Sequence, residues 1–316
     1  MQAEKLRVAV VGASGYTGAE TLRWCFQHPA LEVVGATSRQ HAGKTTRDIW
    51  PQLPAVPVTS EIPHADVLFL CLPHGEAAKL APALTAPIVI DLSGDHRLPS
   101  ALHARHYGFE RESNEWLYGL PELGPERLLG AKRIANPGCF ATALALALLP
   151  LSGKVSGRIQ ATGLTGSTGS GVTPGEGTHH PQRAENLRPY KVLSHQHVPE
   201  VERAIGGIEL DFVPISAPIR RGILVSIQLP PVPGTLWRDF YAGNPLVRVA
   251  ARPPELLHVL GSPRADIGIV ANDRATVVFC AIDNLCRGAG SQAVCNLNLA
   301  MGWPIDLGLT SLQAVP

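Results

Sequence analysis

A glycine-rich turn near the start of the chain constrains the fold most strongly. The apolar run Leu6–Val11 is typical of a strand buried on both faces, and Gly12, Gly15 and Gly18 follow it. Glycines at this spacing permit a tight turn, a close approach of the backbone to a phosphate and close helix packing, and a helix over residues 17–27 would add free N–H groups. The pattern predicts a phosphate-binding turn; a plain glycine-rich turn between strand and helix is the alternative. The candidate cofactor-binding residues of this turn are Gly12, Ser14, Gly15, Tyr16, Thr17 and Gly18.

The end of the next strand indicates which cofactor the turn serves. Residues 31–37 predict a second strand, and Ser38 and Arg39 come directly after it. A carboxylate at this point would hold the ribose 2′-hydroxyl of NAD, whereas Arg39 with Ser38 suits the 2′-phosphate of NADP. NADP is therefore the predicted cofactor, and a solvated arginine in a surface loop is the alternative.

Strand and helix patterns alternate through the first 95 residues. Residues 65–73 and 87–93 have the composition of buried strands, and residues 75–84 between them predict a helix. This alternation predicts an α/β fold with a Rossmann-type doubly wound parallel sheet. Ligands of such sheets bind at the carboxyl ends of the strands, so Leu72, Pro73 and Ser93 are further candidate cofactor-binding residues.

The chain beyond residue 150 has a different texture. Short alternating segments predict a mostly antiparallel sheet in an α+β domain, and they are residues 157–162, 208–215, 222–229 and 276–282. Two long loops are expected: residues 165–183, which are glycine-rich and suited to line a site, and residues 238–254, which are rich in Arg and Pro. Residues 289–302 predict a helix that packs back on the first domain.

Composition excludes several classes of function. Hydrophobic residues make up 45% of the chain and charged residues 17%, with a net charge of +1, so neither nucleic acid nor a membrane is an expected partner. The six cysteines contain no C-x-x-C pair, which predicts free thiols and no metal site. No signal-peptide pattern and no long apolar stretch is visible, so the expected location is cytoplasmic.

Cys139 is the strongest catalytic candidate. It follows Asn136-Pro137-Gly138 and precedes residues 140–149, which are strong helix formers, so we expect its sulfur at the positive end of a helix dipole. A helix N-terminus lowers the pKa of a thiol and raises the fraction of nucleophilic thiolate. The alternative is that Cys139 is a small buried apolar residue, as many unpaired cysteines are.

Seven segments in order along the chain resemble one family. They are residues 12–20, 91–98, 118–123, 136–139, 195–200, 221–224 and 283–289. Together they resemble N-acetyl-γ-glutamyl-phosphate reductase, a relative of aspartate-semialdehyde dehydrogenase. The resemblance implies an enzyme that uses NADPH to reduce an acyl phosphate to an aldehyde. It implies that Cys139 forms a thioester and that His197 moves protons, with His195 as a neighbour that the sequence leaves open.

The resemblance also implies further site residues and the assembly. Gly166 and Asn284 would contact the cofactor, and Asn136 and Arg221 the substrate, Arg221 through its two-pronged guanidinium. His180 and Arg183 are further candidate substrate-binding residues, in a basic segment that departs from the family pattern. An NADP-binding domain of residues 1–138 plus 289–316 and a catalytic and dimerisation domain of residues 139–288 are expected. A homodimer or homotetramer is the expected assembly. A non-catalytic, NADP-binding regulatory module, which would need the glycine turn but not Cys139, is the alternative of a different class.

The chain departs from the family pattern beside the predicted site. Ser194 and Gln196 stand where the family more often has Gly and Arg, and residues 179–191 are unusually basic. Basic side chains would suit an acidic carrier protein that presents the substrate, as in the family branch that reduces carrier-bound aminoadipyl or glutamyl phosphate in lysine or arginine synthesis. Free N-acetyl-γ-glutamyl phosphate in arginine synthesis is the favoured substrate, and the carrier-bound acyl phosphate is the alternative.

Overall fold

The chain divides into two units at the Pro137–Gly138 bond. The computed structural model describes residues 4–111 and 116–309. The first unit contains the described residues up to Pro137 and those from Ala289 onwards, and the second is Gly138–Gly288. The predicted first domain includes residues 1–3, 112–115 and 310–316, which lie outside the described residues.

The first unit is built on a parallel sheet. Its strands are β1 (Leu6–Val11), β2 (Leu31–Thr37), β3 (Val58–Thr59), β4 (Val67–Leu70), β5 (Ile88–Asp91), β6 (Leu117–Tyr118) and β7 (Arg133–Ala135). They are arranged in the order β3-β2-β1-β4-β5-β7-β6, and every pairing is parallel. All residues of β4 are buried, which explains why the strand is a continuous apolar run. The predicted doubly wound parallel sheet is confirmed.

Helices connect these strands and define a crevice. They are α1 (Tyr16–Gln27), α2 (Thr46–Ile49), α3 (Glu76–Leu80) and α4 (Ser100–Tyr107). The helix predicted over residues 75–84 is shorter than expected: a 3₁₀ turn over Ala81–Ala83 follows α3, because Pro82 has no N–H to continue the α-helical ladder. The strand order reverses between β1 and β4, so the loops that follow these strands border the ligand crevice expected of such a sheet.

The second unit combines the buried helix α5 and three further helices with a mixed sheet. Its helices are α5 (Cys139–Leu148), α6 (His180–Arg183), α7 (Val198–Ile205) and α8 (Thr235–Phe240). Its strands are β8 (Gly157–Thr165), β9 (Arg188–Pro189), β10 (Ile208–Ser216), β11 (Ile223–Leu229), β12 (Val247–Ala250), β13 (Ala265–Ala271) and β14 (Thr276–Ile282). The order is β12-β13-β14-β11-β8-β10-β9. Only the β8–β10 and β12–β13 pairs are parallel, so the predicted mostly antiparallel sheet is confirmed for the described strands.

The loop predicted over residues 238–254 is wrong in part. The segment contains the end of α8 and the whole of β12, which pairs with β13. Apolar side chains anchor it: Trp237 is fully buried and donates from its indole N–H to the Ala147 carbonyl at 2.8 Å, and the Tyr241 hydroxyl donates to the Leu146 carbonyl at 2.6 Å. The Arg and Pro content of the segment favoured a loop on sequence grounds, so these buried contacts were not predicted. The other predicted loop, residues 165–183, contains only 3₁₀ turns and the short α6.

The last described helix, α9 (Gly290–Ala300), returns to the first unit and packs on α1. Gly290 makes this approach close, because a Cβ atom built on it would lie 3.0 Å from the backbone nitrogen of Thr21. At the other end, the His28 ring contacts the Asn298 amide at 3.0 Å. These contacts attach α9 to the first unit, although α9 follows the second unit along the chain.

Candidate active site

The glycine turn after β1 forms a cradle with an open face. Gly12 has φ +96°, and a Cβ atom built on it would overlap the Cys71 carbonyl; one built on Gly18 would overlap the Gly12 carbonyl. At Gly15 the nearest atom to a built Cβ is 3.9 Å away. Gly15 is the N-cap of α1, which has neither a capping side chain nor an acidic residue in its first turn. The N–H groups of that turn therefore fit the phosphates of a dinucleotide.

The loop after β2 supports this turn. The Ser38 hydroxyl donates to the Ser14 hydroxyl at 3.2 Å, and Ser38 is buried. The Trp50 indole N–H donates to the Ala13 carbonyl at 2.8 Å, and its ring lies 6.1 Å from that of Tyr16. Arg39, the predicted ligand of the 2′-phosphate, is 87% exposed and forms an ion pair with Glu76. Ser14 and Ser38 are thus hydrogen-bonded to each other, whereas most of the Arg39 side chain is exposed to solvent.

Ser93, a predicted cofactor-binding residue, lies in the turn at the carboxyl end of β5. It is buried, and its N–H and hydroxyl donate to the two carboxylate oxygens of Asp91 at 2.8 and 2.9 Å. The same carboxylate contacts His96 Nδ1 at 2.6 Å. The Ser93 side chain therefore stabilises the turn after β5. Leu72 packs on the apolar core of this unit and Pro73 is exposed at its edge.

Cys139 is the first residue of α5, as the sequence predicts. The helix has Gly138 as its N-cap, no capping side chain and no acidic residue in its first turn, so its positive end faces the thiol. Cys139 is partly exposed, whereas every later residue of α5 is buried. The backbone of Gly288 lies against it, because a Cβ atom built on Gly288 would be 2.7 Å from Cys139 Cβ.

His197 lies beside the nucleophile turn. A Cβ atom at Gly138 would overlap its imidazole, so the ring occupies the space that the glycine leaves next to Cys139. His197 is the N-cap residue of α7 and is buried. One turn further along α7, the buried Glu200 carboxylate accepts a hydrogen bond from the Gly138 N–H at 3.0 Å. The start of α7 therefore contacts Gly138 through two ionisable side chains.

His195 has a different environment from His197. Burial, and then the charge of Lys191, lowers the pKa of His195 to about 4. The backbone N–H of His197 donates to His195 Nδ1 at 3.2 Å, which requires that ring nitrogen to be unprotonated. The ring packs among aromatic groups, with centroids 5.6 Å from Phe140 and 5.8 Å from Tyr190. His195 is therefore neutral at physiological pH, and its ring orients the backbone of His197.

Arg221, Asn284 and Gly166 form a second cluster in the same unit. Arg221 binds both carboxylate oxygens of the buried Asp283, Nε to Oδ2 at 2.7 Å and Nη2 to Oδ1 at 2.8 Å. Asn284 Oδ1 accepts from the Gly222 N–H at 2.6 Å. Gly166 has no space for a side chain, because a Cβ atom there would lie 2.6 Å from Arg221 Cα. These contacts join the end of β8 and the start of β11 to the turn after β14.

The remaining substrate candidates are Asn136, Arg183 and His180. Asn136 is buried in the first unit, where its Oδ1 accepts from Asn296 at 3.0 Å and its carbonyl accepts from Arg97 Nε at 2.8 Å. Arg183 donates to Ser216 Oγ at 2.8 Å and to the Ala217 carbonyl, and burial lowers its pKa. His180 is exposed. Asn136 and Arg183 thus both hold neighbouring segments of their own units in position.

The structure adds residues that the sequence reasoning missed. Glu200 could have been found, because a carboxylate three residues after a histidine at a helix start lies on the same side of the first turn. Tyr190 could be recognised only from the structure. Burial raises its pKa, and the negative charge of the nearby Cys139 thiolate raises that pKa further. Gly288 gave no signal, since its tight contact with Cys139 depends on tertiary packing.

Within residues 4–111 and 116–309, no cluster of three or more His, Cys, Asp or Glu side chains could hold a metal ion. No helix formed by these residues is long and apolar enough to cross a membrane.

Family models match both units. Residues 7–131 match the NAD-binding domain of semialdehyde dehydrogenase, and residues 139–284 match the semialdehyde dehydrogenase dimerisation domain. The first match agrees with the cradle formed by the glycine turn. The second begins at Cys139 and ends at Asn284, so it includes the histidine pair and the Arg221 cluster.

Relatives of similar length are reductases of acyl phosphates. The chain is 41% identical to an N-acetyl-gamma-glutamyl-phosphate reductase of Thermus thermophilus, covering 96% of this chain and 98% of the relative. It is 37% identical to a LysW-L-2-aminoadipate 6-phosphate reductase of Deinococcus radiodurans over the full length of both. Among solved structures, aspartate semialdehyde dehydrogenase II of Vibrio cholerae is similar in fold, with a TM-score of 0.74 at 18% identity and coverage of 94% and 98% of the two chains. The chain belongs to the N-acetyl-γ-glutamyl-phosphate reductase family of semialdehyde dehydrogenases.

Proposed function

We propose that the protein uses NADPH to reduce N-acetyl-γ-glutamyl phosphate to the corresponding semialdehyde, with release of phosphate. The observation that supports this most is the arrangement around Gly138: Cys139 at an uncapped helix start, the His197 ring against Gly138 and the Glu200 carboxylate on its N–H. A nucleophile, a base and a group that orients their shared turn are the parts that thioester chemistry needs. A purely regulatory dinucleotide-binding module has no use for this arrangement.

Cys139 carries the covalent steps in this proposal. Its thiolate attacks the acyl carbon, the C–O bond to phosphate breaks, and phosphate leaves with the bonding electrons, so that a thioester remains on the sulfur. Bound NADPH supplies the hydride that reduces this thioester. The resulting alkoxide on the former acyl carbon re-forms a carbonyl as the C–S bond breaks, which releases the aldehyde and restores the Cys139 thiolate. The helix dipole of α5 favours the thiolate at the start and at the end.

His197 is assigned the proton transfers. Its imidazole can take the Cys139 proton before attack and can donate a hydrogen bond to the oxygen that becomes negative during reduction. His195 is assigned a positioning role, because a ring with a pKa of about 4 that accepts the His197 N–H is not poised to cycle a proton at neutral pH. Glu200 is assigned the orientation of the nucleophile turn through the Gly138 N–H.

The first unit is assigned the cofactor and the second the catalytic machinery, with the boundary at the Pro137–Gly138 bond. The glycine turn and the N–H groups of α1 would hold the pyrophosphate of NADP, and Arg39 with Ser38 the 2′-phosphate. Arg221 would bind an anionic group of the substrate beside its ion pair with Asp283, and the amide of Asn284, the residue after Asp283, would approach the nicotinamide. These assignments extend the family match to individual side chains.

We also assign this chain a homo-oligomeric state, as a dimer or a tetramer. One face of the second sheet carries half-buried apolar side chains on neighbouring strands, including Leu164, Ile215, Leu224 and Phe279. Leu164 is in register with both Ile215 and Leu224, so these side chains form a continuous patch. A second copy would cover such a patch, in keeping with the dimerisation domain that the family model describes.

A carrier-bound acyl phosphate is the second candidate substrate. The basic segment before the histidine pair is exposed at His179, His180, Arg188 and Lys191, and the Deinococcus radiodurans relative is named for a carrier-linked substrate. A positive surface beside the site would attract an acidic carrier. The free substrate remains the proposal, because the Thermus thermophilus relative, which is more similar, is named for it.

The reverse reaction distinguishes the two substrates. Free N-acetylglutamate semialdehyde, phosphate and NADP should give brisk production of NADPH with little dependence on salt. Negligible turnover with the free aldehyde, rescued by an acidic carrier and weakened by salt through screening, would favour the carrier-bound substrate. An Arg188→Glu variant should then slow only the carrier-dependent reaction, and Arg203→Glu, an exposed position on α7, is the matched control. Failure of both substrates would reject the proposed function.

A further inference from the structure

An ion pair crosses the cofactor crevice of the first unit. Arg39 belongs to the loop after β2, and Glu76 is the first residue of α3, which follows β4. Since β2 and β4 are the two neighbours of β1, the pair joins the loops on either side of the strand that leads into the glycine turn. Arg39 Nη2 lies 3.0 Å from Glu76 Oε2.

Glu76 has a second cationic partner. Lys79, one turn along α3, places its Nζ atom 3.2 Å from Glu76 Oε1. Lys79 first, and then Arg39, lower the pKa of Glu76, so its carboxylate is charged at neutral pH. The Arg39 side chain is 87% exposed and that of Glu76 32%, so the pair with Arg39 is an exposed one that costs little to break.

We propose that Glu76 is a specificity-determining residue that competes with the 2′-phosphate of the cofactor for Arg39. The inference rests on the proposed use of NADP and names a residue that opposes it. An exposed carboxylate binds a guanidinium weakly, whereas a phosphate carries more negative charge, so Arg39 moves to the phosphate when NADP binds. Lys79 stays with Glu76 and prevents a bare carboxylate from facing the phosphate.

The competition affects only one of the two cofactors. NAD has a hydroxyl in place of the 2′-phosphate and leaves the Arg39–Glu76 pair intact. NADP binding loses the free energy of that pair, so Glu76 lowers the preference for NADP below the value that Arg39 alone would give. The opposite possibility, that Glu76 orients Arg39 for the phosphate, predicts that removal of the carboxylate weakens NADP binding.

The test measures binding of nucleotide fragments, which needs no catalysis. Isothermal titration of the full chain at low salt with 2′,5′-ADP and with 5′-AMP reports the two forms of the ribose separately. For Glu76→Gln we expect binding of 2′,5′-ADP to tighten about two- to fivefold, the range of an exposed ion pair, with 5′-AMP almost unchanged. Glu32→Gln is the matched control, because Glu32 is an exposed glutamate near the amino end of β2, away from the crevice.

A double-mutant cycle with Arg39→Ala isolates the competition. In that background Glu76→Gln should no longer tighten 2′,5′-ADP, because the contested cation is absent. Weaker or unchanged 2′,5′-ADP binding by Glu76→Gln, an equal gain for 5′-AMP, or a gain that persists in Arg39→Ala would each overturn the inference while leaving the dinucleotide site intact. Failure of the unmodified protein to bind either nucleotide would overturn the inference together with the proposed cofactor.

Discussion

Two helices of this protein begin in the same way and serve different groups. Helix α1 follows Gly15 and α5 follows Gly138, and both N-cap glycines have extended backbone, with φ −83° and −68°. Any residue adopts these angles, so neither glycine is needed for its conformation. Neither helix has a capping side chain or an acidic residue in its first turn, which leaves the N–H groups and the positive dipole end to another group.

The two starts differ in the space that their glycines leave. A Cβ atom built on Gly15 would have no neighbour closer than 3.9 Å, so the turn is open to an incoming phosphate. At Gly138 a Cβ atom would overlap the His197 ring, so the space is filled by a residue of the protein itself. A glycine before the helix thus leaves open space at the start of α1 and space filled by the His197 ring at the start of α5.

Removal of the His197 imidazole beside Gly138 should have the largest effect on kcat. His197→Asn is expected to lower kcat by about 10² to 10⁴-fold, the usual contribution of a positioned acid or base, with nucleotide binding unchanged. His179→Asn, which removes an exposed histidine of the same unit, is the control and should be close to normal. A His197→Asn enzyme that keeps more than a fifth of the normal kcat would show that the ring beside Gly138 is not the base.

Alanine substitutions at the two N-cap glycines should have different effects, one on catalysis and the other on cofactor binding. Gly138→Ala has to displace the His197 ring, and a shift of about 1 Å at a reacting group costs on the order of 10²-fold in kcat. Gly15→Ala should fold normally and weaken NADP binding by about tenfold, because the methyl group occupies the space meant for phosphate. Titration with NADP and steady-state kcat are the two measurements. Equal loss of both properties in both variants would contradict the distinction.

The fold could be predicted from the sequence because its signals are local. Buried strands such as β1 and β4 are continuous apolar runs, and the glycine turn and the position of Cys139 at a helix start follow from residues close together in the chain. The hidden elements within residues 238–254 show the limit of this reasoning. Their stability comes from Trp237 and Tyr241 bonding to carbonyls of α5, which are about 90 residues away in the chain.

The arrangement of side chains in the candidate site was less predictable. The sequence offered Ser93 and Arg221 as ligands. Ser93 bonds to Asp91, only two residues away, whereas the ion pair of Arg221 with Asp283 joins residues 62 positions apart and depends on tertiary contacts that no local pattern encodes. The sequence favoured His197 as the base through the family resemblance and left His195 open as an alternative. Their difference arises from burial and from one hydrogen bond between the His197 N–H and the His195 ring. Spacing finds the residue types of a site, and packing decides which role each has.

The smallest expected effect is the contribution of His195 to the pH dependence of the free energy of unfolding. Its native pKa of about 4 lies below the ordinary value of 6.5, so below pH 6.5 the unfolded chain binds a proton that the native protein does not. Stability should therefore fall as the pH falls towards 4, by about 1 kcal/mol between pH 7 and pH 5.5. Urea unfolding of His195→Gln should lack this part of the pH dependence. An identical pH dependence in the variant would mean that His195 is not buried in its neutral form.

In the proposed mechanism, Cys139 forms a thioester with the substrate before any reduction. Enzyme mixed with N-acetyl-γ-glutamyl phosphate in the absence of NADPH should release about one equivalent of phosphate per chain in a burst, and mass spectrometry should find the N-acetylglutamyl group on the peptide that contains Cys139. Cys139→Ser should show no burst and less than a few per cent of normal aldehyde formation, because a hydroxyl is far less ionised than a thiol. Phosphate release that requires NADPH, or an acyl group on another cysteine, would contradict the account.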